Sequence, residues 1–533
     1  MKPPMILVIA PGNKQEAASL VAAALERSGG RGSASQATIE VARQALPASH
    51  HGAIWVFIEP REAWTGCVTG LLAQSHKVLL FGALPPSLAD HLGARVAPLS
   101  DALRQAALCA PAPTFGTSDS AARVAYEPAV ARRLAGRPVP VPDRALRRYD
   151  FTDEWNNLGY GAVTTDGSPW SLAQQVQVPG DRQLARLVAG DTDFGAYAAL
   201  WDDGPSSLLW FNRPAGPIDS QEWRLVEDFV SCHRPDDLPC QPVLAEVPAG
   251  FDAAVTMRLD CDEDVESARA LWSLYRAERV PFSLALHARV LADPTHHRLP
   301  REVLASGGAI LSHTATHAPD WGGSHEAAYT EGAVSAQTIQ DTIGHRVRYA
   351  VSPFHQTPVY ARHGLADAGY RGCIGGIIRN DPDFLMARSG VPPHGGEGFI
   401  GHSQQCMLHG DCMLAKGEPL RIFRQAFDEA VAGGAFFGYL DHPFSERYQY
   451  GWLTEDQRVD AHRGLIAHMR QAGKVLFAHE DDAMDFLFAR AHTRVVADGA
   501  AWRVLRPAGG HRWDQAVRWR GRTHVVGSEG LLT

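Results

Sequence analysis

Seven short apolar runs between residues 250 and 490 constrain the fold of this 533-residue chain more than any other feature. Each run is followed within a few residues by histidine, aspartate or glutamate, and together they cover residues 253–259, 282–286, 309–312, 348–352, 372–378, 435–440 and 474–478. Continuous apolar runs of this length are typical of buried parallel strands. Because parallel strands end at a common edge, the pattern predicts a distorted β/α barrel whose polar groups share one site.

The first part of the chain has a different pattern. Strands are predicted at 5–10, 53–59 and 77–82, and helices at 16–27 and 99–108, which is a doubly wound α/β arrangement. A hairpin around Asp202-Asp203-Gly204-Pro205 and a helix over 220–231 follow. The arrangement resembles a flavodoxin-like, class I amidotransferase-like domain without its catalytic motifs.

These patterns predict three domains. Residues 1–245 would form a non-catalytic, amidotransferase-like support domain with a linker-like stretch at about 111–145, where proline is frequent. Residues 246–490 would form the catalytic domain, and residues 491–533 a small β-rich extension.

Charge and composition narrow the class of partner. The net charge of −9 argues against a protein that tracks nucleic-acid phosphates. The eight cysteines lack CxxC spacing, which is typical of reduced thiols in the cytosol. No window approaches the roughly 18 apolar residues of a transmembrane span. We therefore expect a soluble cytoplasmic protein without a transmembrane segment; the pattern leaves its oligomeric state open.

Two acids follow the first of the seven runs. Asp260 and Asp262 lie two positions apart where the strand ends, so both side chains can enter one cavity. The alternative is a helix cap, because the acids at 262–264 precede a predicted helix over 265–276.

Two histidines follow the third run and favour a metal site. His313 and His317 are four residues apart and share a face if the segment turns helically. One carboxylate and two imidazoles suit Zn²⁺ or a similar divalent ion. Three protein ligands leave coordination positions open, which is typical of a catalytic site. The sixth run ends in Leu440-Asp441-His442-Pro443, where His442 is a candidate general acid.

Taken in order, these motifs resemble the polysaccharide deacetylase family (carbohydrate esterase family 4, the NodB homology domain). The resemblance covers somewhat under half of the chain, and Arg258-Leu259-Asp260-Cys261-Asp262 is closer to the R-x-D-x-D variant of lipid-linked-sugar and peptidoglycan deacetylases. It implies a NodB-like barrel in which Asp260 is the catalytic base and His442 the catalytic acid. It also implies that Asp262, His313 and His317 bind the metal, which we expect to be zinc, with cobalt or nickel as alternatives.

The sequence departs from the family in two motifs. The arginine of the third motif is missing from Val351-Ser352-Pro353-Phe354, and Arg258 or Arg379 would replace it. For the aspartate of the fourth motif, the sequence leaves Asp381, Asp411 and Asp441 open. The residues expected to contact substrate are Arg258, Pro353, Phe354, His355, Arg379 and Trp452.

The expected activity is removal of acetyl groups from an N-acetylated sugar or polysaccharide in bacterial surface-polysaccharide (O-antigen or capsule) biosynthesis. One alternative is a metal-dependent hydrolase of a small amide or imide, which a narrow, closed pocket would favour. An open groove lined by Trp452, Tyr448 and Arg447 would favour a glycan. A second alternative is a non-catalytic glycan-binding protein.

Overall fold

The structure is a computed structural model, and it describes residues 6–46, 53–108, 122–139, 141, 143–146, 163–217, 220–375, 390–392, 398–403, 406–410, 420–499, 501–507, 511–527 and 529–532.

The first 231 residues contain eleven strands and seven helices among those described. The strands are β1 (Ile6–Ile9), β2 (Ala34–Ala37), β3 (Ile54–Ile58), β4 (Lys77–Phe81), β5 (Arg95–Ala97), β6 (Arg123–Tyr126), β7 (Arg144–Ala145), β8 (Gln175–Gln177), β9 (Gln183–Ala189), β10 (Thr192–Trp201) and β11 (Ser207–Phe211). The helices are α1 (Gln15–Gly29), α2 (Ile39–Ala45), α3 (Thr65–Leu72), α4 (Pro86–His91), α5 (Asp101–Leu108), α6 (Pro128–Ala135) and α7 (Ser220–Ser231).

Nine of these strands form one mixed sheet. Its order is β2-β1-β3-β4-β11-β10-β9-β6-β7, with parallel pairing from β2 to β11 and antiparallel pairing from β11 to β7. The strands predicted around β1, β3 and β4 and the hairpin of β10 and β11 are present. The antiparallel half was not anticipated, and the flavodoxin-like, amidotransferase-like assignment stays a prediction, as do the domain boundaries.

The region after residue 242 contains the second large sheet. Its strands are β13 (Ala253–Cys261), β14 (Ser283–Leu286), β15 (Ala309–Ser312), β16 (Tyr349–Val351), β17 (Gly372–Gly375), β18 (Ile400–Ser403), β19 (Cys406–Met407), β20 (Phe436–Asp441) and β21 (Val475–Ala478). The short strand β12 (Val243–Leu244) precedes them and lies outside this sheet. The helices are α8 (Arg269–Ala277), α9 (Arg298–Ala305), α10 (His325–Ile343), α11 (Val359–Asp367), α12 (Arg421–Gly433), α13 (Glu455–Met469) and α14 (Glu480–Ala491).

Every described pairing in this sheet is parallel, in the order β18-β17-β16-β15-β14-β13-β20-β19, with β21 beside the start of β13. All nine residues of β13 are buried. A strand that is covered on both faces has a continuous apolar sequence, and such a run can be recognised without the structure. The seven predicted strands therefore coincide with β13, β14, β15, β16, β17, β20 and β21. Residues 376–378 of the fifth prediction lie outside the described residues.

The last strands pack against both preceding regions. They are β22 (Arg494–Asp498), β23 (Ala501–Leu505), β24 (Gln515–Trp519), β25 (Arg522–Val526) and β26 (Glu529–Leu532). Strand β24 pairs with β12, and Arg518 in β24 forms ion pairs with Glu227 and Asp228 of α7. In the part of the chain that the structure describes, no helix has the length and apolar character needed to cross a membrane.

Candidate active site

The carboxyl end of β13 presents Arg258, Asp260 and Asp262 on one side. Residues two apart in a strand point to the same face, so the alternation places all three side chains together. The expected helix cap exists, but Asp264 provides it: its Oδ1 accepts the backbone N–H of Glu266 at 3.0 Å. Asp262 is therefore left free of the capping role that the sequence allowed for it.

Asp260 is held by an arginine of its own strand. Arg258 Nε donates to Oδ1 at 2.6 Å and Nη2 donates to Oδ2 at 3.2 Å, and both side chains are buried. Burial raises the pKa of Asp260, but the guanidinium of Arg258, together with His313 and His442, outweighs burial and holds that pKa below its usual value. Asp260 is thus an ionised carboxylate with a fixed orientation. The other candidate partner, Arg379, lies outside the described residues.

His313 follows β15 directly, and its tautomer is set by the neighbouring strand. Its Nδ1 lies 3.2 Å from the carbonyl oxygen of Val351 at the end of β16, an acceptor that fixes the proton on Nδ1. The lone pair of the neutral His313 ring is therefore on Nε2, which lies 3.3 Å from Asp262 Oδ1. Such a backbone partner orients a metal-binding imidazole.

His317 reaches the same oxygen by a turn and not by a helix. Thr314 (φ 68°) and His317 (φ 57°) are both left-handed, and the N–H of His317 donates to Thr314 Oγ1 at 2.7 Å. The segment does not turn helically, which was the condition for a shared face in the sequence, because Thr314 and His317 have left-handed backbone conformations. His317 Nε2 still lies 3.7 Å from Asp262 Oδ1.

A carboxylate from α10 holds this turn in place. Glu331 Oε2 accepts the backbone N–H groups of Ala315 and Thr316 at 2.9 and 2.8 Å, and its Oε1 accepts the Thr316 hydroxyl at 2.5 Å. These are charge-assisted bonds to a buried acid, which are stronger than neutral ones. Glu331 therefore determines where His317 points, although it does not touch the ring.

The three side chains Asp262, His313 and His317 fit a divalent cation. One ligand atom from each lies within 4.8 Å of the others. Asp262 Oδ1 is buried, and no described residue donates to it in hydrogen-bond geometry. Burial and the proximity of His313 lower the pKa of His317 to about 4, so its ring is neutral at pH 7 and available as a ligand. A buried carboxylate oxygen that faces two imidazole nitrogens is the donor set expected for zinc or a similar ion.

His442 lies on the other side of Asp262. Its Nε2 is 3.9 Å from Asp262 Oδ2. The Asp262 carboxylate therefore lies between His442 and the two histidines of the candidate metal site. Asp441 does not bind the His442 ring; its Oδ1 accepts the backbone N–H of His442 at 2.7 Å and its Oδ2 lies 2.9 Å from His462 Nε2. Of the three aspartates left open for the fourth motif, Asp381 and Asp411 lie outside the described residues.

The turn after β16 forms one rim of the site. Pro353 is buried, whereas Phe354 is 48% exposed and its ring lies 4.7 Å from that of His317. Phe354 (φ 50°) and His355 (φ 60°) are both left-handed. Burial lowers the pKa of His355 to about 4, so this ring is neutral beside the Arg258 and Asp260 pair. The structure thus brings Pro353, Phe354 and His355 to the site.

Trp452 does not line this site. Its side chain is only 1% exposed and belongs to the main hydrophobic core, so it is not available to a substrate. Tyr448 and Arg447 are exposed, at 41% for Tyr448. The prediction that Trp452 contacts substrate is therefore wrong. The chain turns inward after Tyr450 and Gly451, and the side chain of Trp452 lies in the core.

Sequence reasoning missed three side chains that shape the site. Glu331 is on α10, His462 is on α13, and Tyr450 stacks on the ring of His442. The first two lie on the α-helices that follow the His313–His317 and Asp441-His442 segments, and no local pattern marks them. The signal for the third was the aromatic cluster Tyr448-Gln449-Tyr450-Gly451-Trp452 directly after the sixth run.

Comparisons with known proteins give distant similarities. The sequence matches no protein-family model and no curated protein. Among solved structures, a Mycobacterium smegmatis protein assigned as a polysaccharide deacetylase is 14% identical, with a TM-score of 0.36, and the alignment covers 46% of this chain and 93% of that chain. A family 4 acetyl xylan esterase from Clostridium thermocellum, in complex with a cobalt ion, is 12% identical (TM-score 0.30; 44% and 90% covered). The allantoinase PuuE is 15% identical (TM-score 0.33; 45% and 91% covered). These similarities assign no family to the chain.

Proposed function

We propose that this protein is a metal-dependent N-deacetylase that removes acetyl groups from an N-acetylated sugar or polysaccharide. The observation that supports the proposal most strongly is the buried Asp262 Oδ1, which faces His313 Nε2 and His317 Nε2 and accepts no hydrogen bond from the described residues. A cation held there supplies Lewis acidity, which lowers the pKa of water and polarises a carbonyl group. The pair of Asp260 and His442 beside it supplies a base and an acid, which a purely glycan-binding protein does not need.

The protein groups divide the proton transfers of amide hydrolysis. Asp260, kept ionised by Arg258, accepts a proton from the water that attacks the acetyl carbon. His442 delivers a proton to the departing amine nitrogen, which is a poor leaving group while unprotonated. Water adds to the carbonyl, the C–N bond breaks, and the products are acetate and the sugar amine. The backbone N–H groups after Pro353 are candidate donors to the oxyanion.

The shape of the rim supports a glycan. Phe354 and Tyr448 are large aromatic side chains that are about half exposed next to the site, and Arg447 is 77% exposed. Exposed aromatic faces beside a polar site suit sugar rings better than they suit a small amide, which would be enclosed. Zinc as the metal, a bacterial surface polysaccharide as the substrate and a cytoplasmic location remain predictions from the sequence.

The test is acetate and amine release from N-acetylglucosamine oligomers by metal-free protein that is reloaded with Zn²⁺, Co²⁺ or Ni²⁺. We expect release by wild type and by Asp264→Asn, a control in which the helix cap is kept. Asp260→Asn should lose about 100-fold or more in kcat while its metal content is unchanged. Retention of most activity by metal-loaded Asp260→Asn would contradict the proposal. Release only from small amides or cyclic imides would support the alternative hydrolase, and glycan binding without release would support a binding protein.

A further inference from the structure

The loop after β20 places one aromatic ring directly on His442. The rings of His442 and Tyr450 are stacked, with centroids 4.0 Å apart and an interplanar angle of 10°. Tyr450 itself is left-handed (φ 46°), a conformation that costs free energy in a residue other than glycine. A loop adopts such a conformation only where its surroundings impose it.

Two contacts impose the conformation of this loop. The carbonyl oxygen of Tyr450 accepts the N–H of Gly410 at 2.8 Å, and a side chain at Gly410 would collide with the backbone of Gly451. Trp452 is buried in the core and anchors the end of the loop. Its backbone N–H donates to the carbonyl oxygen of Gln449 at 2.9 Å. Tyr450 is therefore presented by a fixed segment and is not a mobile surface residue.

The side chain of His442 is largely buried, but the described hydrogen bonds do not orient its ring. Its Nδ1 is buried without a hydrogen-bond partner among the described residues. Asp441, which lies next to it in sequence, is engaged by the backbone N–H of His442 and by His462. These bonds fix the backbone at His442 and do not involve its imidazole ring.

We propose that Tyr450 is the positioning residue for His442: its ring face holds the imidazole flat so that Nε2 stays directed at Asp262 and the reacting amide. This inference rests on the proposed deacetylase function. The stack takes the place of a hydrogen bond to Nδ1 in orienting the acid. The next ring, Tyr448, lies 5.9 Å from that of Tyr450, is tilted by 30° and is exposed. The ring of Tyr450, and not its hydroxyl group, carries the role.

Two substitutions separate the ring from the hydroxyl group. Tyr450→Phe keeps the stack, and we expect kcat within about threefold of wild type. Tyr450→Leu keeps apolar bulk without a ring face, and we expect kcat to fall by about 10- to 100-fold with KM changed by less than about threefold, since a misplaced acid affects the transition state and not substrate binding. Leu453→Ala, at an exposed position of the same loop, is the control and should leave both constants unchanged.

A second measurement does not depend on activity. Protons lying over an aromatic face are shielded, so the carbon-bound ring protons of His442 should resonate upfield in the NMR spectrum of wild type and of Tyr450→Phe, with signals assigned by their absence from His442→Gln. The displacement should vanish in Tyr450→Leu, and the wild-type spectrum alone decides the stack if that variant does not fold. Undisplaced signals in wild type, or equal loss of kcat in Tyr450→Phe and Tyr450→Leu, would overturn the proposal. Upfield signals without acetate release from any substrate would leave the stack established and contradict the proposed function instead.

Discussion

Arg258 and Asp260 form a bidentate ion pair within one buried strand, with Nε 2.6 Å from Oδ1 and Nη2 3.2 Å from Oδ2. Neither side chain is in contact with bulk water, since Arg258 is fully buried and Asp260 is nearly so. A charge pair of this kind fixes the orientation of the carboxylate that we propose as the general base. It also makes the fold dependent on both partners, because either charge alone would be buried without compensation.

Removal of the arginine should therefore destabilise the fold. In Arg258→Met, the carboxylate of Asp260 remains buried without its cation, and we expect the free energy of unfolding of the metal-free protein to fall by about 3–5 kcal/mol. Urea denaturation measures this. Arg298→Met removes an exposed arginine that pairs with Glu302 and is the control, with no measurable change expected. A loss in Arg258→Met as small as that of the control would show that the pair is not buried in solution.

The turn that carries His317 should depend on Glu331. In Glu331→Gln the charge-assisted bonds to Ala315 and Thr316 are weakened, so the second imidazole loses its fixed position. We expect the dissociation constant for Zn²⁺ to rise by about 10- to 100-fold, the usual effect of losing a group that orients a metal ligand. Competition with a chromogenic chelator measures it. Glu326→Gln, at an exposed position of the same helix, should bind as wild type does, and equal affinity in both variants would contradict this role for Glu331.

A buried histidine of the first sheet should make stability depend on pH. Burial, with the proximity of Lys77 as a second cause, lowers the pKa of His233 to about 4, whereas its unfolded value is about 6.5. Below about pH 6.5 the unfolded chain binds a proton that the folded one does not, so stability should fall as pH decreases from about 6.5 to about 4. The contribution is at most about 3 kcal/mol.

His233→Gln should flatten that part of the profile. Thermal unfolding followed between pH 4 and pH 7 compares it with wild type and with His91→Gln, a change at an exposed position. We expect the wild type and His91→Gln to lose stability in parallel and His233→Gln to lose less. If all three profiles coincide, His233 is protonated in the folded protein.

Residues 246–490 were easier to anticipate than the rest because their strands are buried on both faces. β13 and β15 read as continuous apolar runs, and the acids and histidines that follow them mark the edge where the site lies. The turn at Thr314 and His317 was not predictable, since left-handed β-branched and histidine residues are set by tertiary contacts such as those of Glu331. The core position of Trp452 likewise depends on how the loop packs and not on its composition.

In the sheet of the first region, the sequence likewise predicted single elements but not all of their pairing partners. The hairpin of β10 and β11 was readable from its Asp-Asp-Gly-Pro turn, but the pairing of β11 with β4 joins segments more than a hundred residues apart. Local patterns identify elements and do not specify such partners. The pairing of β9 with β10 and with β6 in the antiparallel half was therefore known only from the structure.

Above all, we propose that Asp262, His313 and His317 hold one catalytic divalent ion. The most direct measurement is the Zn²⁺ content of each protein after dialysis, taken together with its rate of acetate release from N-acetylated oligosaccharide. We expect one ion per wild-type chain, an acetate-release rate proportional to occupancy, and loss of both ion and rate in His313→Ala. Full activity in metal-free protein, or undiminished Zn²⁺ binding by His313→Ala, would contradict the account.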